Sequence, residues 1–444
     1  MHKGLDNYTY LTSAPVHHVV LTMAVPTIIS MLVTALYNMA DTFFVGQLDT
    51  QSTAAIGIVF SLMFLIQAFG FFFGHGSGNY ISRELGAKRK ANAARMAANG
   101  FFFSFGCGIV IMVLGLLFLR PLALLLGSTP TILPYTEDYL GIILLGVPFF
   151  TSSLTLNNQL RLQGNALYAM VGIVTGAILN VGLDPLFIFV FGMGVKGAAL
   201  ATIIGQASSA VILFVMAAHG ENIAIRWRNF SPSWSAAKEI FYGGSPSLCR
   251  QGMMSISVML LNNIAGNYGD APIAAMSIVN RITLIVMAFV IGLGQGFQPV
   301  CGFCYGARLF PRLKEAFKFT VTVGTLFLLV CSVSGWLLSS GLIRIFRDDA
   351  EVIAVGTVAL RWQLVSLPLN AFIVGSNMLT QTCRMPLSAN VVAAARNGLF
   401  FIPLIIALPH FFGLTGVEMC QAWSDGLSFM LALPIIIHTM RKLK

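Results

Sequence analysis

Long apolar segments separated by short polar ones recur along the whole sequence. Each contains about 20 or more mostly apolar residues, which is enough for an α-helix to cross a bilayer. The apolar–polar alternation over about ten residues that a membrane β-barrel requires is not seen. The pattern therefore predicts an all-α membrane protein with twelve transmembrane helices. Their predicted positions are residues 17–45, 53–78, 96–119, 137–160, 167–190, 196–218, 237–266, 273–300, 314–338, 352–379, 388–409 and 415–440.

The second half of this pattern repeats the first. A shift of 220 positions places "AAIGIV" (54–59) on "AAMSIV" (274–279). Six helices repeated in the same orientation form two bundles related by an axis along the membrane normal, as in many secondary transporters. We therefore predict two pseudo-symmetric six-helix lobes joined by a polar cytoplasmic linker. The N-terminal lobe, the linker and the C-terminal lobe span residues 1–218, 219–236 and 237–444.

The composition is typical of a membrane protein, and the distribution of charge among the loops predicts the orientation of the protein in the membrane. The chain is 57% hydrophobic and 9% charged, whereas soluble domains carry about 25% charged residues. Its net charge of +10 is spread over short loops, which argues against a nucleic-acid surface. Lys and Arg concentrate in loops on one side, such as 83–95 and 308–318. The positive-inside rule therefore predicts that both termini are cytoplasmic.

An acidic residue interrupts the first apolar segment. Asp41 lies in "YNMADTFFVGQL", and a charge at the centre of a membrane helix costs roughly 2.5–3.5 kcal/mol even on lenient insertion scales. Thr34, Tyr37 and Asn38 share its helix face, because the four positions are spaced i, i+3, i+4 and i+7. Such a polar stripe should face protein or water. Asp41 could cross-link helices through hydrogen bonds only, or it could hold an exchangeable charge.

The fifth apolar segment repeats this chemistry in "ILNVGLDPLFIF". Asn180 and Asp184 are one helical turn apart and share a face. Pro185 cannot donate a hydrogen bond to the carbonyl of Val181, so the helix should bend and leave that acceptor free. A carboxylate, an amide and a free carbonyl together suit a proton or a small hard cation.

Counted from the predicted helix ends, these side chains lie at similar depths in the membrane. Asp41 and Asp184 both lie about five residues short of the outer end, which is roughly 8 Å at about 1.5 Å per residue. Thr202 lies at nearly the same level, and Gln206 is one turn deeper. We predict a cation-coupling site formed by Asp41, Asn180, Asp184 and Thr202. The predicted substrate pocket beside it contains Tyr37, Asn38, Thr34, Gln206 and Met31.

Several arginines lie inside predicted helices of the second half. Unpaired charges there would be costly, so we expect Asp425 to pair with at least one arginine, first of all Arg396. An ion-pair network of this kind would fix helix packing. Alternatively, spare positive charge would line a cavity for an anionic group. The predicted members of the network are Arg250, Arg281, Arg361, Arg396 and Asp425.

Distinctive segments occur in both halves, among them "ALYNMADTFFVGQL", "GVKGAALAT", "IVNRITLIVMAFVIGLGQGFQPVCGFCYGA" and "AARNGLFFIPLIIALP". With them the whole chain resembles the multidrug and toxic compound extrusion (MATE) family, in the branch that includes DinF-like and MepA-like exporters. The resemblance implies a V-shaped exporter of organic cations that is driven by inward proton or sodium flow. It also implies a cation site at the four positions named above. Another branch has acidic residues in the seventh and tenth helices, where this chain has Met253, Met254 and Asn370.

We therefore expect a secondary active multidrug efflux antiporter that exchanges organic, often cationic, compounds for H⁺ or Na⁺. It should work as a monomer in the lipid of a prokaryotic plasma membrane, with small-molecule drugs or toxins as partners. We expect no nucleic acid, no metal and no cofactor other than the coupling ion. The alternative on the same fold is a flippase for a lipid-linked precursor. A passive channel fits the repeat less well, and a membrane-embedded enzyme would need a nucleophile or metal motif that the sequence does not show.

Overall fold

The computed structural model describes residues 6–443, apart from the side chain of Thr42. This part of the chain is almost entirely helical, which confirms the predicted all-α class. The helices of the first half are α1 (Asn7–Ser13), α2 (Val16–Val45), α3 (Thr50–Gly86), α4 (Lys90–Leu117), α5 (Leu119–Leu125), α6 (Leu133–Leu162), α7 (Ala166–Pro185) and α8 (Val195–Ala217). Those of the second half are α9 (Trp234–Gly266), α10 (Asp270–Gly306), α11 (Phe310–Leu337), α12 (Ser339–Phe346), α13 (Ala350–Ser366), α14 (Asn370–Thr382), α15 (Pro386–Ala394), α16 (Phe401–Phe412) and α17 (Leu414–Lys442).

Within residues 6–443, eleven helical elements are long and apolar enough to cross a membrane. Three of them are interrupted, by π turns at Leu186–Val190 and Ala395–Leu399 and by a 3₁₀ turn at Leu367–Leu369. The predicted seventh helix is α9, which has 33 residues and is also long enough. Residues such as Arg250 and Gln251 lower its hydropathy. Because α9 packs along α3 and α15, much of its surface is covered by protein.

The two halves of the chain are in backbone contact at one end of the helix bundle. We call this end the basic face; α3, α6 and α10 end there, beside loops that include Arg308. A Cβ on Gly306 of α10 would clash with the carbonyl oxygen of Arg83 on α3. Gly76 of α3 lies equally close to the backbone of Ile240 on α9. Since only glycine allows such approach, the halves are closed against each other at the basic face.

A buried arginine joins the halves at the same interface. Arg161, at the end of α6, is only 1% exposed. Its guanidinium donates to the carbonyl oxygen of Gln295, to Gln298 Oε1 at 3.0 Å and to Asn158 Oδ1 at 2.6 Å, and it lies 3.3 Å from His75 Nε2. None of these partners is acidic. Neutral acceptors on both halves therefore hold the charge, and separation of the halves would remove two of them.

A short helix that the sequence analysis did not predict lies across the basic face. Tyr10 and Leu11 of α1 are buried. Arg312 of α11 donates to the carbonyl oxygen of Leu11 at 3.1 Å, and the Lys88 ammonium lies 4.6 Å from the ring centroid of Tyr8. Because Lys88 belongs to the first half and Arg312 to the second, α1 contacts both halves and reinforces their closure.

The close approach of α10 to α3 at Gly306 leads to a prediction about stability. Gly306→Ala should destabilise the protein by about 1–3 kcal/mol, because the added Cβ meets a backbone oxygen that cannot rotate away. The expected observation is a lower midpoint of thermal unfolding in detergent. Gly106→Ala is the matched control, since no atom lies within 4 Å of its Cβ position. Equal midpoints for the two variants would show that the closure does not depend on this crossing.

Candidate functional site

Two carboxyl groups from different helices meet inside the first half of the chain. Asp41 of α2 and Asp184 of α7 are 4% and 0% exposed, and their carboxyl groups lie close enough to interact with each other. An ionised carboxylate can only accept hydrogen bonds, so a direct hydrogen bond between the two groups would need a proton on one of them. We call the pair the Asp41–Asp184 dyad. It is a place where protons can be held and exchanged.

Helix α7 ends next to the dyad, and its local sequence explains why. Pro185 is the last residue of α7, and the chain continues into the π turn Leu186–Val190. In this turn the Phe191 N–H donates to the Leu186 carbonyl oxygen at 2.9 Å. Proline has no N–H and cannot continue the regular helical pattern. The bend expected from the sequence is therefore realised as a π turn, an irregularity that is frequent at functional sites.

Asn180 and Thr202 connect the dyad to α8. In one orientation of the Asn180 amide, Nδ2 donates to Asp184 Oδ2 at 3.3 Å and Oδ1 accepts from the Thr202 backbone N–H at 3.1 Å. In the other orientation, Nδ2 donates to Thr202 Oγ1 at 3.3 Å. The first satisfies both ends of the amide and gives the buried Asp184 a donor, so it fits the chemistry better. The structure thus brings all four residues of the predicted cation site together.

Two tyrosines lie beside the dyad. Tyr37 belongs to the predicted stripe of α2 and is close to both carboxyl groups. Tyr139 of α6 is buried near the same groups and near Thr202. The sequence analysis missed Tyr139. It comes about as far from the beginning of α6 as Thr202 does from the beginning of α8, so counting depth along the fourth segment would have found it.

A cavity of about 830 Å³, including its open mouth, adjoins the dyad. Asn180 and Thr202 form part of its wall, whereas neither acid of the dyad lines it. Besides the predicted stripe on α2, three helices each contribute a stripe with i, i+3, i+4 and i+7 spacing. These stripes lie within residues 60–67 of α3, 173–180 of α7 and 202–209 of α8. The site therefore has two layers, a charged dyad and an adjoining uncharged cavity.

Most of the residues predicted for the substrate pocket line this cavity. Thr34, Tyr37, Asn38 and Gln206 are all part of its wall. Met31 is not among the lining residues, which corrects that expectation. It occupies the same face of α2 as Thr34, but one turn closer to the basic face, where the halves are closed.

In the second half, the predicted pair forms. Arg396 Nε donates to Asp425 Oδ1 at 2.8 Å. Asp425 also accepts hydrogen bonds from Gln421 at 2.9 Å, Asn370 at 2.9 Å and Ser366 at 3.1 Å. Both oxygen atoms of this carboxylate accept hydrogen bonds. Asn370 is a neutral donor at a position where an acidic residue would repel Asp425. The arrangement fixes the packing of α13, α14 and α17 around the π turn that carries Arg396.

The other predicted members of the ion-pair network do not join this pair. Arg250 donates to Asn377 Oδ1 at 2.7 Å, and Arg361 donates to Ser339 Oγ at 3.0 Å and lies over the ring of Trp336. Arg281 is on the exposed side of α10. The expectation of one network is therefore wrong. These arginines project from separate helices; a neutral acceptor binds the half-buried Arg250, and a hydroxyl group and an aromatic ring contact the exposed Arg361.

Known proteins share the sequence pattern and the fold of this chain over nearly its whole length. The MatE family model matches residues 26–186 and 246–415. The multidrug export protein MepA of Staphylococcus haemolyticus (strain JCSC1435) is 26% identical over 97% of this chain and 95% of its own length. A crystal structure of MATE in complex with MaD3S has a TM-score of 0.93 and 25% identity, and covers 99% of both chains. The outward-facing conformation of a multidrug resistance MATE family transporter has a TM-score of 0.92 and 25% identity, and covers 98% of both chains.

The Arg396–Asp425 pair yields a second stability prediction. Arg396→Leu should destabilise the protein by about 3–5 kcal/mol, because it leaves a buried carboxylate without its cation. The double variant Arg396→Leu/Asp425→Asn should recover part of this loss, since no buried charge remains. Thermal unfolding in detergent measures both effects. Arg344→Leu is the control, because its ion pair with Asp348 is exposed. A double variant no more stable than Arg396→Leu would contradict the ion-pair explanation.

Proposed function

This chain belongs to the MatE family, and from that premise we propose that it is a secondary active multidrug efflux antiporter. It exports organic compounds, often cationic ones, in exchange for H⁺ or Na⁺. The single observation that carries the coupling mechanism is the Asp41–Asp184 dyad next to a cavity of about 830 Å³. Transport involves no covalent chemistry, so we assign no catalytic residue.

The dyad can take up an ion in two ways. A second proton would neutralise both carboxyl groups. A sodium ion would replace a proton at the dyad and bind carboxylate oxygens together with the Thr202 hydroxyl oxygen. The Asn180 amide would have to rotate for its carbonyl oxygen to join these ligands, which are of the type that hard cations prefer. Either ion must stabilise one conformation more than the other if it is to drive transport.

Asn180 and Thr202 provide the link between ion and substrate. Both contact the dyad layer and both line the cavity. When the charge of the dyad changes, the donor that Asn180 offers to Asp184 is no longer required, and its amide and the neighbouring Thr202 can rearrange. The cavity wall then differs between the loaded and unloaded states. This differential contact is the physical requirement for coupling two ligands at separate sites.

We propose that the basic face is cytoplasmic, with both termini on that side, and that the protein lies as a monomer in a prokaryotic plasma membrane. The division into lobes 1–218 and 237–444 with linker 219–236 belongs to the same proposal. The closure of the halves at the basic face supports an assignment of this conformation as open toward the outside. Alternating access would then require the contacts of Gly306 and Arg161 to separate.

A flippase for a lipid-linked precursor remains the second candidate. One observation favours it: Arg250 and Arg361 have neutral hydrogen-bond partners, so their charge is free to attract an anionic headgroup. Both arginines belong to the second half, however, whereas the described cavity lies in the first half and has no basic residue in its wall. The cavity therefore favours drug efflux.

Substitution of either dyad acid should abolish coupled export. Asp41→Asn and Asp184→Asn, each purified and reconstituted separately, should export ethidium no faster than protein-free liposomes do, because one amide and one carboxyl group cannot share and exchange an ion as two carboxyl groups can. Asp348→Asn is the control, since this carboxylate is 81% exposed in a loop. Export at the wild-type rate by either dyad variant would refute the coupling role.

The coupling ion can be identified by varying two gradients independently. Proteoliposomes with an imposed proton gradient, a sodium gradient, both or neither should show ethidium export only when at least one gradient is present. The Asp184→Asn variant should not respond to the gradient that drives the wild type. Equal export with and without both gradients would mean that transport is not ion-coupled.

A further inference from the structure

A second cavity lies at the basic face, and its lining residues differ from those of the cavity beside the dyad. It measures about 490 Å³ including its open mouth. Helix α4 contributes Asn92, Arg95 and Asn99 to its wall, and the linker contributes Ser231 and Ser233. The first turns of α9 complete the wall. We call it the linker cavity. Because its wall comes from both halves of the chain, a ligand in it would contact both.

Hydrogen bonds hold the linker in place along this cavity. Asn99 is 2% exposed; its Nδ2 donates to the Ser231 carbonyl oxygen and its Oδ1 accepts from the Ser231 N–H, both at 2.9 Å. The Ser233 hydroxyl oxygen accepts from the Ala236 N–H at 3.1 Å and caps α9. The cavity is therefore formed before any ligand arrives, which favours binding because little has to be ordered.

Arg95 supplies the charge that a ligand of the linker cavity would meet. It is exposed and has no hydrogen-bond or ion-pair partner among residues 6–443. A guanidinium group matches the geometry of a phosphate group and can bind two of its oxygens at once. Ser231 and Ser235 add hydroxyl donors to the wall. The polar lining of the cavity therefore suits an anionic, phosphate-containing group.

The acids near the linker cavity do not cancel this charge, because they already have partners. Glu239, which also lines the cavity, pairs with Arg83 at 3.2 Å and with Arg384. Glu84 pairs with Arg89 at 2.7 Å. Three arginines therefore balance two carboxylates in these pairs, and the guanidinium of Arg95 is a further positive charge beside them.

Along α4, polar residues at the cavity are followed by aromatic residues deeper in the membrane. Arg95, Asn99 and Phe102 share a helix face, because they are spaced i, i+4 and i+7. At about 1.5 Å per residue, Phe102 lies roughly 10 Å farther from the basic face than Arg95 does. The centroid of its ring is 4.8 Å from that of Trp227, which is 70% exposed.

Helix α9 presents an exposed stripe on the other side of the linker cavity. Trp234, Lys238 and Phe241 are spaced i, i+4 and i+7, and the two aromatic residues are 84% and 56% exposed. Tryptophan is enriched where a membrane meets water, and basic residues there attract anionic lipids. A phospholipid has the matching order, with a charged headgroup at the interface and apolar chains beneath it.

We propose that the linker cavity binds the headgroup of an anionic phospholipid, with Arg95 contacting its phosphate group and with Trp227, Trp234 and Phe241 contacting its acyl chains. The bound lipid links the two halves at the basic face. A zwitterionic lipid binds more weakly, because its headgroup brings a second positive charge to a region that is already positive. This site is separate from the dyad and does not depend on the proposed efflux function.

Thermal unfolding of the full-length protein in nonionic detergent tests the proposal, because a ligand that binds the folded state raises the midpoint. Three probes are titrated: dioctanoyl phosphatidylglycerol, dioctanoyl phosphatidylcholine and inorganic phosphate. The apparent Kd of phosphatidylglycerol should be about tenfold lower than that of phosphatidylcholine. Inorganic phosphate should raise the midpoint far less than phosphatidylglycerol does, because it has no acyl chains.

Variants separate the headgroup contact from general attraction to the basic face. Arg95→Gln should raise the apparent Kd of phosphatidylglycerol about tenfold and remove the preference for it. Without lipid this variant should unfold at the wild-type temperature, since Arg95 has no partner to lose. Arg95→Lys keeps the charge and should keep most of the preference. Arg441→Gln is the matched control, because Arg441 is exposed near the basic face and outside the cavity.

A variant of the aromatic part has a different expected pattern. Trp234→Ala should weaken both lipids to the same degree, because Trp234 contacts chains that the two lipids share.

Three results would overturn the inference. Equal apparent Kd values for the two lipids in the wild type would mean that the headgroup charge is not recognised. An effect of inorganic phosphate as large as that of phosphatidylglycerol would assign the site to free phosphate. A preference that Arg95→Gln keeps, or loses no more than Arg441→Gln does, would mean that the linker cavity is not the binding site.

Discussion

The proximity of the buried Asp41 and Asp184 carboxyl groups is the constraint on which the proposed function depends. Two buried carboxylates without a cation nearby would repel each other, so their contact exists only with a proton or another cation between them. Local structural features maintain this energetically unfavourable arrangement. Pro185 and the π turn after it end α7 at the dyad, and Asn180 offers its amide to Asp184. The close approach of α7 and α8 at Gly176 brings Thr202 within reach of Asn180.

In the proposed mechanism, the layered arrangement separates the site of the coupling ion from the cavity that holds the substrate. A site in which substrate and ion compete for the same carboxylates would accept only cations as substrates. Here the acids are covered by Asn180 and Thr202, which also form the cavity wall. Ion binding can therefore change the shape and hydrogen bonding of the cavity without direct contact between ion and cargo. Coupling of this kind places few demands on the charge of the substrate, which suits an exporter with a broad range.

The sequence predicts the helices and their polar stripes better than it predicts contacts between side chains of different helices. Helical periodicity and the carboxylate of Asp41 predict the α2 stripe, and depth along three segments groups the four residues predicted for the cation site. Tyr139 lies on the fourth segment at a depth similar to that of Thr202, and the grouping of three segments does not include it. The arginine network failed for another reason: composition shows that charges need partners, but it does not show which neutral acceptors other helices offer. Asn377 for Arg250, and Ser339 for Arg361, are such acceptors.

The two halves also differ in what their buried acids can do. Asp425 is held by Arg396 and by three neutral donors, so its negative charge is compensated and its oxygen atoms are occupied. A proton or sodium ion that approached it would have to displace a cation already in place. In the dyad, by contrast, one Asp41 oxygen and one Asp184 oxygen have no hydrogen-bond partner in the described structure. The charge of Asp425 is thus fixed by its partners, whereas the dyad, in the proposed mechanism, holds a charge that can be exchanged.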